Sequence, residues 1–452
     1  MKTIRTMTQY GIKFPALQKH LNGGALLLIM FFWGLHLGYP MHRLQHARLM
    51  FMGYFVPLYY LLTVLFLVGA AAVVLTLKRH WSKWEVLWWL LPLICLPGIL
   101  NSSDHLWSVR QWLSWIIRGV IPGGIIFLTA QRKDIDLTFR YWIYPIVIAA
   151  SLVGLTELYN GFNPLWEGVD NHISQTSQPD NPLYRPYDTM VLSVRPQGTQ
   201  GNRIPYAATL IGFWPLGLWL FKYTKRLRWV QLIFVGALSS ILLLAQVRSV
   251  WVAALAAFIL MSAVGLQRNR RETIKISAGV LLCLGLFWVW PKTHEILRAR
   301  LSSFNITEVS IRDRLGALRT AKVIKDLWVL GVGFGQFPKF KTPSSPYAPG
   351  VVLWSNTPDN QYVRWAVENG LPSLIIMTTF FIGLIRAGWK KVRLIQDVQR
   401  ADFYKSVLVG WLSIVVTFLF FDGFYWGACN MTFWCLLGLF ATCLRLDESS
   451  AC

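Results

Sequence analysis

The chain is short of charge. Only 14% of its 452 residues are Asp, Glu, Lys or Arg, against 54% hydrophobic residues and 23 Trp. A soluble protein of this size carries about 25% charged residues, so a soluble globular fold is excluded. Cysteine is also scarce where it would matter. Five of the six Cys lie in apolar runs and the sixth is the terminal Cys452. None has metal-site spacing, and the long polar segments hold no Cys, so neither a disulfide framework nor a zinc site is indicated. His36, His42, His46 and His105 are scattered, and no His follows His294. No metal or other cofactor is therefore expected. The first apolar run, near Gly24, follows a basic segment but lacks a small-residue cleavage site, so it reads as a membrane helix and not a signal peptide. No internal repeat, low-complexity tract or soluble cytoplasmic domain is visible.

What the chain has in quantity is long apolar runs. They recur at roughly 16 to 24 residues, the length that crosses about 30 Å of hydrocarbon. About twelve spans can be drawn. They cover Gly24–Pro40, Tyr54–Leu77, Trp84–Leu100, Trp112–Thr129, Tyr141–Tyr159, Tyr206–Phe221, Trp229–Gln246, Val250–Leu266, Ile276–Pro291, Leu371–Trp389, Ser406–Phe421 and Phe424–Cys443. The expected fold is one all-α polytopic membrane domain over residues 1–452. Arg110, Arg118 and Glu157 lie within or beside spans and are read as paired inside the bundle.

The formal net charge is +23. In a soluble chain that would suggest nucleic acid. Here Lys and Arg collect in alternate loops, as at Lys78–Lys83, Arg132–Arg140, Lys222–Arg228, Arg268–Lys275 and Arg386–Lys405. The short hairpins Asn101–His105 and Asp422–Gly423 have neither. The positive-inside rule accounts for that alternation with both termini cytoplasmic, and nucleic acid is not expected as a partner. One exception is Met41–Leu49, with Arg43 and Arg48 on the outer side. Two long segments then fall outside, residues 160–205 and 291–371. Loops this long in a compact membrane protein are usually functional or ordered into surface helices.

The second of these segments carries most of the convincing chemistry. Arg312 precedes a run, Arg314–Val329, in which Leu315, Leu318, Ile324 and Leu327 recur at near-helical spacing. Arg319, Lys322 and Lys325 lie between them, which fits a helix in the interface with basic groups toward headgroups, or an ordinary amphipathic surface helix. Gly331, Gly333 and Gly335 lack the strand–helix context of a dinucleotide fingerprint and read as a helix stop and tight return. Asp359, Asn360, Tyr362 and Glu368 follow, just before the tenth span. Asp359 reads either as a helix N-cap or as a general base. Two arginines from elsewhere join this set. Arg248 sits in a three-residue turn between two spans, close to membrane depth. There an arginine either snorkels or holds phosphate through its guanidinium fork. Arg195 sits in a Gly/Asn-rich stretch before the sixth span, where a plain loop arginine fits the residues as well. Together these residues suggest a site for an anionic, lipid-linked substrate at the bilayer surface.

The second half of the chain resembles the O-antigen ligase and O-antigen polymerase superfamily of bacterial polysaccharide enzymes. Arg195-Pro-Gln-Gly with Asn202, Val247-Arg248-Ser249-Val250-Trp251, Arg314 to Arg319 followed by Leu330-Gly331-Val332-Gly333, and Asp359-Asn360-Gln361-Tyr362 with Glu368-Asn369-Gly370 match its pieces in order. The resemblance covers roughly residues 195–389. It implies a glycosyltransferase C type fold in the inner membrane, with the site facing outward. It implies transfer of a glycan from a polyprenyl diphosphate to a lipid-linked or growing glycan acceptor, without metal or nucleotide sugar and with inversion. Arg195, Arg248, Arg312, Arg314 and Arg319 would hold the diphosphate. Asp359 would act on the acceptor hydroxyl, and Asn360, Tyr362 and Glu368 would lie on the acceptor side. The chain departs from the ligases in one place, where Asp359 stands for their His. A transporter of lipid-linked glycans is the rival reading, because many apolar spans with intramembrane arginines suit one. Against it, the candidate residues gather on one face and no repeated halves are visible. A structural membrane anchor for a polysaccharide assembly complex is the third.

Overall fold

The computed structural model describes residues 33, 48–51, 54–57, 81–129, 143–160, 203–224, 228–245, 247–266, 329–337 and 359–445. Within these residues the fold is helical except for one hairpin. Its strands β1 (Arg48–Phe51) and β2 (Tyr54–Pro57) pair antiparallel. This corrects the expectation that a membrane helix begins at Tyr54. Tyr, Phe and Val favour a pleated ribbon, and Pro57, which has no N–H, ends the ladder.

The helices follow in order. They are α1 (Lys83–Leu90), α2 (Leu96–Leu100), α3 (His105–Trp115), α4 (Ile121–Thr129), α5 (Tyr144–Asn160), α6 (Arg203–Ile211) and α7 (Trp214–Tyr223). Then come α8 (Arg228–Leu244), α9 (Arg248–Leu266), α10 (Gln361–Asn369), α11 (Leu371–Leu394), α12 (Val398–Thr417) and α13 (Gly427–Ala441). A 3-10 turn, Leu91–Cys95, joins α1 to α2, since Pro92 and Pro97 cannot continue the α-helical ladder. A π segment, Ile116–Val120, joins α3 to α4. Five of these stretches are long and apolar enough to cross a membrane: Lys83–Leu100, His105–Thr129, Arg203–Tyr223, Leu371–Leu394 and Gly427–Arg445. The chain is thus a multi-pass membrane protein. The expected spans Gly24–Pro40 (except Trp33) and Ile276–Pro291, and the remainder of Tyr54–Leu77, lie outside the described residues.

Two helices start earlier than their apolar runs, for local reasons. Asp104 accepts the Trp107 N–H at 3.0 Å and caps α3 at His105. Asp397 caps α12 at Val398, and in the charged first turns Asp402 is paired with Lys222, whose Nζ lies 2.8 Å away, and with Lys405. Arg110, expected to be paired inside the bundle, is exposed on α3, while Arg118 is half-buried in the π segment.

The core surrounds α13, which is buried almost throughout and packs on α4 at backbone contact. A Cβ at Gly438 would lie 2.2 Å from the Gly123 carbonyl oxygen, so only glycine allows this approach. Trp88, Trp115, Trp365 and Phe424 pack together beside its Trp434, with the Trp115 and Trp365 rings 5.2 Å apart. At one end of the bundle the Glu85 carboxylate meets Arg445, and Lys222 meets Asp402. The 101–104 turn, residues 329–337, the start of α10 and residues 418–426 all gather at the other end.

Candidate functional site

The second end of the bundle is built around the glycine turn. Gly331, Gly333 and Gly335 have φ of +79°, +107° and +76°, a region that side chains rarely adopt. The turn lies against the last turn of α10: the Val332 N–H donates to the Val367 carbonyl at 3.0 Å, and Gly333 N–H to that of Glu368 at 2.9 Å. Its other side meets the 101–108 hairpin. The Asn101 Nδ2 donates to the Gly331 carbonyl at 2.6 Å, and Gln336 Nε2 donates to the Asp104 carbonyl and Ser108 Oγ, both at 3.0 Å. The tight return expected here is present, and its purpose is to wedge one strand of chain between two elements.

Beneath the turn lies a buried charged cluster. α10 is short and strongly two-faced, so Trp365 enters the aromatic core while Arg364 and Glu368, one turn apart, face the 418–426 hairpin. Arg364 is 4% exposed and Glu368 1%. Arg364 Nε donates to Glu368 Oε1 at 3.0 Å, and its Nη1 donates to Asp422. Its guanidinium carbon stands 3.3 Å from the Tyr425 ring centroid. The Tyr425 hydroxyl donates to Glu368 Oε2, and the Phe337 N–H donates to Glu368 Oε1 at 3.1 Å. Burial pushes the Asp422 carboxyl up to about 6; Arg364 pulls it down and the charge of Asp359 raises it. Buried charges persist only when paired in this way.

Asp359 and Asn360 stand at the entrance to α10. Asn360 is its N-cap, with Oδ1 accepting the N–H groups of Tyr362 at 3.0 Å and Val363 at 3.1 Å. Asn360 Nδ2 donates to the Leu419 carbonyl at 3.0 Å. The capping role considered for Asp359 therefore belongs to its neighbour. Asp359 is half-buried, with φ +44°, and among the described residues it is the only non-glycine in the left-handed region. Such outliers collect at functional sites, where surrounding structure holds them. The Tyr362 hydroxyl donates to the Val415 carbonyl at 2.8 Å.

The sequence-based expectation put Asn360, Tyr362 and Glu368 on the acceptor side. The structure shows what else these residues do. The Asn360 amide, the Tyr362 hydroxyl and both Glu368 oxygens each bond within the protein, to Leu419, Val415, Arg364 and Tyr425 respectively. Arg248 opens α9, half-buried, where the positive end of the helix also favours an anion. Trp251 fixes that turn by donating its Nε1 to the Leu242 and Leu243 carbonyls at 3.2 Å. Arg195, Arg312, Arg314 and Arg319 lie outside the described residues. Arg364, Asp422, Tyr425 and Gln336 were not singled out as site residues from the sequence. The Arg364–Glu368 spacing was the one available signal; the other three depend on contacts between segments far apart in the chain. Among the described residues no group of three or more His, Cys, Asp or Glu could hold a metal.

Fold and site together define a helical multi-pass membrane protein with a polar, charge-bearing assembly at one end. Residues 233–378 match the model of a family described as O-Antigen ligase, which supports membership of the O-antigen ligase and polymerase superfamily. That stretch includes Arg248, Arg312, Arg314, Arg319, Asp359, Asn360, Tyr362 and Glu368; Arg195 precedes it. No curated protein matches the chain.

Proposed function

We propose that this chain is an integral-membrane glycosyltransferase of the O-antigen ligase/polymerase type. It moves a glycan from a polyprenyl diphosphate to a lipid-linked or growing glycan acceptor, at the outer face of the inner membrane. The observation that carries the reading is the family match over residues 233–378, which takes in both Arg248 at its helix start and Asp359 at its left-handed turn. The proposed fold is of glycosyltransferase C type with about twelve spans. Residues 160–205 and 291–371 lie outside.

In this mechanism Arg248 and Arg314 bind the donor diphosphate, with Arg195, Arg312 and Arg319 contributing positive charge. The acceptor hydroxyl gives its proton to the Asp359 carboxylate while its oxygen bonds to the anomeric carbon. The bond from that carbon to the diphosphate oxygen breaks, and the diphosphate leaves with the electron pair. Attack opposite the leaving group inverts the centre. Negative charge grows on the leaving group, and preorganised guanidinium groups stabilise such charge strongly.

The test is purified protein in vesicles, supplied with a polyprenyl-diphosphate glycan and an acceptor glycan. Transfer with release of polyprenyl diphosphate is expected. Movement of the donor across the bilayer with no new glycosidic bond would overturn this reading in favour of a transporter.

A further inference from the structure

We infer that Tyr425 and Glu368 are positioning residues for Asp359, acting through the rigid body of α10. The inference rests on the glycosyltransferase reading for what Asp359 does, and on the geometry for how it is held. Three segments converge on one carboxylate: α10 itself, the glycine turn through the Phe337 N–H, and the 418–426 hairpin through the Tyr425 hydroxyl. The same hydroxyl accepts the Gly335 N–H at 3.1 Å, and the Tyr425 ring lies against Arg364. Tyr425 therefore touches both partners that Glu368 joins.

This clamp fixes the far end of α10, and the near end is fixed separately. Gln361 N–H donates to the Phe418 carbonyl at 2.9 Å, and Gln361 Oε1 accepts the Phe424 N–H at 2.9 Å. A nine-residue helix held at both ends cannot turn about its axis or slide. Asp359 immediately precedes the cap, in a backbone conformation that sets the direction of its Cα–Cβ bond. Loosening the clamp leaves α10 held at its near end alone, so the helix can swing about Gln361 and shift the turn that carries Asp359. A misplacement of about 1 Å at a reacting group can cost on the order of 100-fold in rate.

The test compares wild type, Tyr425→Phe, Glu368→Gln and the double variant in lipid nanodiscs. Backbone hydrogen exchange of residues 329–337 reads the clamp without any need for activity. Turnover and KM for the polyprenyl-diphosphate glycan and for the acceptor read its consequence. The expected result is faster exchange in each variant and kcat lowered on the order of 10- to 100-fold. Both KM values should stay within about 2-fold, the pattern of an interaction expressed only in the transition state. The double variant should be no slower than the worse single, because both changes open one clamp. Unchanged exchange, unchanged kcat, fully additive losses, or a raised acceptor KM at normal kcat would each overturn the inference. Wild type inactive in transfer sinks the functional reading instead, while the exchange measurement still decides whether the clamp exists. If Glu368→Gln does not insert, Tyr425→Phe alone decides, since it keeps the ring packing.

Discussion

Asn360, and not Asp359, caps α10, and the two meet at a backbone turn where Asp359 has φ +44°. The pair divides two jobs. Asn360 satisfies the first N–H groups of the helix, so Asp359 is not needed as the cap. This separates the capping and base accounts by mutation. Asp359→Asn also tolerates the left-handed turn but cannot take a proton. It should therefore lose turnover while keeping donor binding and stability. Asn360→Ala should instead cost about 1 kcal/mol of stability. Turnover of Asp359→Asn and Asp359→Ala, alongside melting of all three variants, checks this. Full activity in both Asp359 variants would remove it from the chemistry.

Arginine geometry gives a second expectation. Lys is a point charge on a flexible stem and does not reproduce a bidentate fork on phosphate. Arg248→Lys and Arg314→Lys should each lower transfer on the order of 10²–10³-fold, the usual cost of losing a transition-state charge donor. The proteins should still insert. A Lys variant near wild-type rate would reduce that arginine to snorkelling or packing.

The Asp422 carboxyl gives a pH dependence with a definite sign. Burial raises it from an ordinary 3.8 to about 6, so between these values the folded state holds more proton than the unfolded. Stability from this group is present below about 4 and is lost as pH rises through about 6. Asn at this position cannot ionise. Losing the Arg364 partner gives Asp422→Asn a constant penalty, but as pH rises from 4 to 7 the stability difference should shift toward the variant, by at most on the order of 3 kcal/mol. Melting curves of both proteins in one detergent across that range test it. A difference that is flat, or that grows in favour of wild type, contradicts the expectation.

Reporter fusions test orientation. The basic loops alternate with hairpins that lack Lys and Arg, and the positive-inside rule then predicts Ser344 outside and Arg270 in the cytoplasm. The two fusions should give opposite signals. Equal signals mean that the order of spans assumed for the site is wrong.

Chelation tests the arginine mechanism as a whole. No ligand spacing for a metal is visible in the sequence, so transfer should survive EDTA. Loss of activity that a divalent ion restores would require a different account of how the diphosphate is held.

The sequence by itself determined the membrane class, the positions of most described helices and the order of the motif pieces. These are local properties. Run length sets whether a helix can span, and loop charge sets which way it faces. Only the tertiary structure decided the fate of the polar residues. Glu368 is one turn from Arg364 in the chain, but its second oxygen is satisfied by Tyr425, 57 positions away, and its first also by the Phe337 N–H. Arg364 in turn needs Asp422, 58 positions away. A buried charge is stable or ruinous according to its partners, and packing brings those partners from separate hairpins. Likewise the sequence could not choose between Asp359 and Asn360 as the cap. That choice was made by the contacts of Asn360 with Leu419 and of Gln361 with Phe418, which fix where α10 begins.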